Sequence, residues 1–217
     1  ARDQALPDCG DTGSIYARSA IKTVAGLRGK RIANGYPAGI VEFALDSALE
    51  KAGLDPSSVR TIQLRPPEAA AALLRGEIDA MIGPDLSSMK ALQSPEVTCL
   101  TTFGQTRPGF QFGFIYFGRN LLDAPVAVGA GFLRAYFRGV REFAGGVTPE
   151  FMLNFAANAG RDPKAVAALC RRHVIEGGRI NRESVDTFAK WALRKGYCEQ
   201  PIPPDSLIDE QFLEAAQ

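Results

Sequence analysis

Apolar positions in the first half of the chain follow two rhythms in turn. Short apolar-centred runs at 30–33, 59–64 and 78–82 have the length and patterning of strands. Between them, 40–52 places apolar residues at Val41, Ala44, Leu45, Ala48, Leu49 and Ala52, which is helical spacing, and Gly53 stands where a left-handed C-terminal residue belongs. Pro66, Pro67 and Glu68 open a second helix that runs through Arg75 and ends at Gly76, with proline suited to the first turn and acid favoured by the dipole. A strand–helix–strand–helix–strand run implies parallel strands joined by right-handed crossovers, with helices on both faces. The predicted class is therefore α/β with an open, mostly parallel sheet. Two further strands are predicted over 98–103 and 111–117; the second sets Phe112, Phe114 and Tyr116 against Gly113, Ile115 and Phe117, so it reads as apolar on both faces.

Beyond Asn120 every periodic segment is helical. The 131–143 stretch carries Phe132, Leu133, Tyr136, Phe137, Val140 and Phe143 on one face and Arg134, Arg138 and Arg141 on the other. Thr148-Pro149-Glu150 and Asp162-Pro163 each pair an N-cap with a proline at the first helical position, and Gly160 separates the two helices. A helix over 183–195 stops at Gly196, and Asp209 caps a short terminal one. The organisation predicted is a lead-in at 1–20 with at most a short strand near 14–17, an α/β lobe at 21–118, and an all-helical C-terminal half at 119–217.

Composition narrows the function classes. The 217 residues carry 25 basic and 24 acidic side chains, a formal charge of +1, which lacks the basic excess of a nucleic-acid-binding protein. The longest uncharged run, 108–118, falls short of the roughly 20 apolar residues of a membrane-spanning helix. The four cysteines, Cys9, Cys99, Cys170 and Cys198, have no paired spacing, so no metal site is predicted. Two disulfides and four reduced thiols both remain compatible with that count. The opening Ala1-Arg2-Asp3-Gln4 is not a signal peptide, which suits a mature periplasmic or extracellular chain, a trimmed one or a cytoplasmic one.

The catalytic inventory is thin. His173 is the single histidine, in the basic helix end Arg171-Arg172-His173, and no phosphate-binding glycine loop, zinc-protease helix or nucleophile elbow occurs. Glu77 and Asp79 read as solvated turn residues and the helical arginines as a solvated face. No catalytic residue and no cofactor is predicted. The loop Asn34, Gly35, Tyr36, Pro37, Ala38 and Gly39 is more informative, because it joins a strand to the start of a long helix. Free N–H groups at such a junction hold carboxylate, sulfonate or phosphate without a catalytic side chain, and Tyr36 adds a ring wall. The second candidate is Gly83, Pro84 and Asp85, at the carboxyl end of a strand, where open α/β sheets place ligands; the plain alternative is a turn with Asp85 capping a helix at 86–92.

The order of segments resembles a known family. Residues 21–33 (IKTVAGLRGKRIA), 49–55 (LEKAGLD), 68–79 (EAAAALLRGEID), 132–136 (FLRAY) and 203–212 (PPDSLIDEQF) are similar, in sequence order, to the nitrate/sulfonate/taurine-type periplasmic solute-binding proteins of ABC transporters, a family that also includes thiamine-pyrimidine synthases and a sulfinate desulfinase. The resemblance implies a two-lobed periplasmic-binding-protein fold of type II that closes on a ligand, with the 34–39 loop touching it. At Gly83-Pro84-Asp85 the family often has an acidic-Pro-aromatic triplet, and this chain departs from it. The implied function is capture of a small anionic or aromatic-anionic solute (sulfonate, carboxylate, nitrate) for delivery to an ABC permease; an enzyme of the same fold, desulfinase- or thiamine-pyrimidine-synthase-like, is the alternative. Family members carry a long first-lobe stretch before the segment matched at 21–33, where this chain has 20 residues. That implies a missing N-terminal segment or a homo-oligomer covering the apolar helical faces.

Overall fold

The computed structural model describes residues 13–83, 92, 94–145, 148–160 and 177–217. It divides into two units. One gathers the described residues of Gly10–Phe112 and Arg182–Ile202, the other those of Gly113–Asn181 and Pro203–Gln217.

The first unit is an α/β sandwich around a five-stranded sheet. Its strands are β1 Ser14–Arg18, β2 Arg31–Asn34, β3 Arg60–Ile62, β4 Ala80–Gly83 and β5 Val97–Thr101, in the spatial order β3-β2-β4-β1-β5. β2 pairs in parallel with both β3 and β4, whereas β1 runs antiparallel to both β4 and β5. The sheet is thus mostly parallel, with one reversed strand. Two helices follow the predicted crossovers, α1 at Ile40–Lys51 and α2 at Pro66–Arg75. Alternation along the strands sends Ile15, Ala17, Ile32, Ala80 and Ile82 to the α1 face and Ala33 and Met81 to the α2 face, so both sides are covered.

Two expectations change in this unit. The 98–103 strand ends at Thr101, because Thr102 caps a short helix, α3 Phe103–Thr106, through its hydroxyl and the Gln105 N–H. No strand forms over 111–117; Phe110 and Phe112 instead pack individually onto the α1-side core beside Phe103, at 5.2 and 5.5 Å between ring centroids. An aromatic-rich run satisfies a hydrophobic core as well without a ladder as with one. The predicted helix at 86–92 except Leu92, the predicted helix from Asp162, and His173 and Cys170 lie outside the described residues.

The helix predicted over 183–195 forms as Arg182–Arg194. The sequence reading groups it with the helical half, yet it belongs to the α/β unit. Trp191, Phe188 and Ala192 join the α1-side core, with Trp191 and Phe188 each 5.4 Å from the Phe43 ring. The Ser184 hydroxyl accepts the Gln111 N–H at 3.0 Å.

The second unit is helical among its described residues. It contains α4 Arg119–Leu122, α5 Val126–Ala144, α6 Glu150–Asn158 and, at its end, α8 Gln211–Glu214, numbering Arg182–Arg194 as α7. α5 starts five residues before the predicted 131, since Pro125 stands just ahead of the first turn. Its buried side packs Leu133 against Phe212 and Leu213. Gly129 allows the closest approach: a Cβ there would lie 2.5 Å from the Phe212 ring. Tyr116, Phe151 and Phe155 are each at least 70% exposed. No helix among the described residues is long and apolar enough to cross a membrane.

Candidate functional site

The connectivity of the sheet selects one edge. From β2 the chain passes through α1 to β3 on one side, whereas from β4 it continues to β5 on the other, so the direction of winding reverses between the neighbours β2 and β4. At such a switch point the loops diverge and leave a crevice at the carboxyl ends of the strands. The parallel register sets Asn34 opposite Ile82, which places Asn34 and Gly35 beside Gly83 at that edge. The structure therefore brings the first candidate loop and Gly83 together. Pro84 and Asp85 lie outside the described residues.

The loop is held from several directions. Asn34 is buried, and its Oδ1 accepts the Tyr36 N–H at 3.2 Å, an Asx-type turn that begins the loop. Gly35 packs against the backbone after β3, where a Cβ would stand 2.6 Å from the Leu64 carbonyl oxygen, so only glycine fits this approach. Tyr36 is 48% exposed and presents its ring at the loop surface. Among the described residues Ala38 is the one non-glycine with positive φ, at 58°. Gly39 is the N-cap of α1, in extended backbone, and the N–H groups of Ile40, Val41 and Glu42 begin the helix without an intrahelical acceptor.

The donors are not all open. The Glu42 Oε2 accepts the Ala38 N–H at 2.7 Å, and Asn34 already holds that of Tyr36. What remains for a ligand is the positive start of the helix at Gly39, Ile40 and Val41, beside the Tyr36 ring.

Behind the loop sits a charged cluster that the sequence reading did not find. Glu42 and Asp46 face the return segment from successive turns of α1, and both are buried. Lys195 Nζ reaches Glu42 Oε1 at 2.7 Å and Asp46 Oδ2 at 3.1 Å. The Tyr197 hydroxyl donates to the Glu42 carboxylate at 2.9 Å, and Trp191 Nε1 donates to Asp46 Oδ2 at 2.9 Å. Burial alone would raise the Glu42 pKa, but the bonds from Lys195, Ala38 and Tyr197 together outweigh it and hold the carboxyl below its ordinary value. Burial likewise works against the Lys195 cation, and its bonds to Glu42 and Asp46 reverse that and raise it. The Glu42 contribution to stability is thus full above its ordinary value, about 4.3, and is lost as pH falls through the lowered folded value. For Lys195 the contribution is full below about 10.4 and is lost as pH rises through the raised one. Urea melts from pH 3 to 7 should show a shallower acid loss in Glu42→Gln than in the unmodified chain; equal slopes would remove Glu42 from the account.

Other ionic contacts are structural. Asp79 accepts from the Arg31 N–H at 2.9 Å and from its side chain at 3.3 Å, tying β2 to the turn before β4. Cys99 is exposed on edge strand β5 and Cys198 is half-buried; no acidic, cysteine or histidine group among the described residues is arranged to hold a metal ion.

Residues 12–106, which hold the sheet, α1, α2 and the candidate loop, match the family model described as NMT1/THI5 like. No curated protein sequence matches the chain. Solved structures share its fold, among them the following three. The periplasmic aliphatic sulphonate-binding protein SsuA from Escherichia coli is 20% identical with a TM-score of 0.68, over 94% of this chain and 67% of its own. The alkanesulfonate-binding protein SsuA from Xanthomonas axonopodis pv. citri, bound to MOPS, is 22% identical with a TM-score of 0.57, over 91% and 68%. A ligand-binding component of an ABC-type import system from Staphylococcus aureus, with zinc bound, is 10% identical with a TM-score of 0.68, over 95% and 71%. The chain thus spans about two thirds of these proteins, and its fold is the periplasmic-binding-protein fold implied by the order of its sequence segments.

Proposed function

We propose that this chain, with its NMT1/THI5-like segment over 12–106 and the fold of ABC-importer binding proteins, is the solute-binding component of such an importer. It captures a small anion, a sulfonate, carboxylate, nitrate-like or aromatic-anionic compound, in the periplasm and passes it to a permease. The observation that carries the reading is the 34–39 loop: a glycine-bearing turn at the switch point, delivering the open start of α1 beside Gly83 and the exposed Tyr36 ring. With a formal charge of +1, attraction for an anion comes from these local N–H groups rather than from a long-range field. The ligands of two structurally similar proteins, aliphatic sulphonate and MOPS, suit the same donors.

Calorimetric titration and thermal shift with methanesulfonate, MOPS, benzoate and nitrate test it. At least one is expected to raise the melting temperature. Gly35→Ala, which drives the loop off Leu64, and Gly39→Phe, which crowds the start of α1, should each weaken that ligand by about tenfold, or 1.4 kcal/mol. A flat response to the whole panel would refute the reading, and unchanged affinity in both variants would move the site away from this loop.

A further inference from the structure

We propose that Glu42 is the positioning residue of this binding loop: clamped by Lys195 and Tyr197, its carboxylate holds the Ala38 N–H and so fixes where the N–H groups of Gly39, Ile40 and Val41 point. The inference rests on the reading of 34–39 as the binding loop. Its geometry is independent of any ligand.

Ala38 occupies a left-handed conformation that a side chain adopts rarely, so something must hold the turn there. The Ala38 N–H is bonded to Glu42 Oε2 at 2.7 Å, a charge-assisted contact of the stronger kind. Glu42 stands in the first turn of α1, two residues beyond Ile40, and could in principle turn out to solvent. It cannot do so here. Lys195 Nζ holds one carboxylate oxygen at 2.7 Å, and the Tyr197 hydroxyl lies within 3.0 Å of both. Lys195 in turn is held by Asp46, and Asp46 by the buried Trp191 indole. A continuous line of bonds therefore runs from the core through Trp191, Asp46, Lys195 and Glu42 to the loop. The charges serve the same end: Lys195 offsets the carboxylate that stands beside the donors, so an approaching anion meets a paired acid rather than a bare one.

The test has one arm that needs no ligand and one that does. Backbone amide exchange at Ala38 is measured by NMR on the full chain, and MOPS and methanesulfonate are titrated calorimetrically. Glu42→Ala should speed Ala38 exchange at least tenfold and weaken the probe about tenfold, and Tyr197→Phe should shift both the same way by less. Glu50→Gln is the control, because it removes the charge from the Arg194 ion pair that joins the same two elements at 3.4 Å without touching the loop; it should leave both unchanged. Unaltered Ala38 exchange in Glu42→Ala overturns the proposal. So does faster exchange with undiminished affinity, or an equal response in Glu50→Gln. Should the unmodified chain bind neither probe, nor benzoate or nitrate, the functional reading fails separately, and the exchange arm alone upholds or overturns the clamp.

Discussion

Replacing Trp191 with alanine is expected to lower the stability of the α/β unit by about 3–5 kcal/mol. The side chain is fully buried although it comes from the far end of the chain. Its ring lies 5.4 Å from Phe43, 5.2 Å from Phe188 and 5.5 Å from Tyr197, so truncation opens a cavity among aromatic groups that cannot collapse independently. The substitution also strips Asp46 of its indole donor, leaving a buried carboxylate with Lys195 alone. Trp191→Phe separates the two losses, since it keeps most of the packing and removes only the N–H; about 1–3 kcal/mol is expected there. Urea unfolding followed by circular dichroism measures both. A Trp191→Ala chain within 1 kcal/mol of the unmodified protein would show that the return segment is not part of this core.

The second large effect lies in the helical unit and turns on sign. In an exposed helix interior alanine is favoured over glycine by roughly 0.8–1 kcal/mol. At Gly129 the same change should instead destabilise, by about 1–3 kcal/mol, because the new Cβ falls 2.5 Å from the buried Phe212 ring. That ring is fixed in turn by Phe117, 5.3 Å away. Phe212→Ala alone should cost about 3–5 kcal/mol, and on that background Gly129→Ala should become neutral or stabilising, a coupling that a double-mutant cycle in urea reads directly. Additive losses would mean that the two residues do not meet.

Local pattern carried the sheet and its covering helices far. The spacing of Val41, Leu45 and Leu49 and the stop at Gly53 locate α1 to within a residue, and the Pro66-Pro67 start and Gly76 stop do the same for α2. Both rest on interactions a few residues apart. The position of β1 between β4 and β5 is not legible that way, because its pairing is antiparallel and joins distant parts of the chain. The rings at 111–117 misled for a related reason: alternation records which residues are apolar, not whether a neighbouring strand is there to receive them. At the candidate site, the loop was visible as a cluster of turn formers. The partners that hold it were not, since Lys195 and Tyr197 lie more than 150 residues from Glu42 and form no motif with it. A first-turn glutamate reads from sequence only as a favourable charge at a helix start. Its role as a bridge requires knowing where the return segment packs.

That packing has a temporal side. Gln111 and Ser184, bonded to each other, mark where the polypeptide leaves the α/β unit and where it comes back. Synthesis proceeds from the N-terminus, so the sheet and α1 emerge long before Trp191 does. Until residue 202 has been made, the side of α1 that carries Phe43 and Asp46 lacks part of its cover. Phe103 and Phe110 already cover part of the Phe43 ring by then, so what the nascent chain holds while residues 113–181 are translated is a half-covered aromatic face and two acids without Lys195, and that interval is the stage at which a chaperone, or another unfinished copy, would find something to bind.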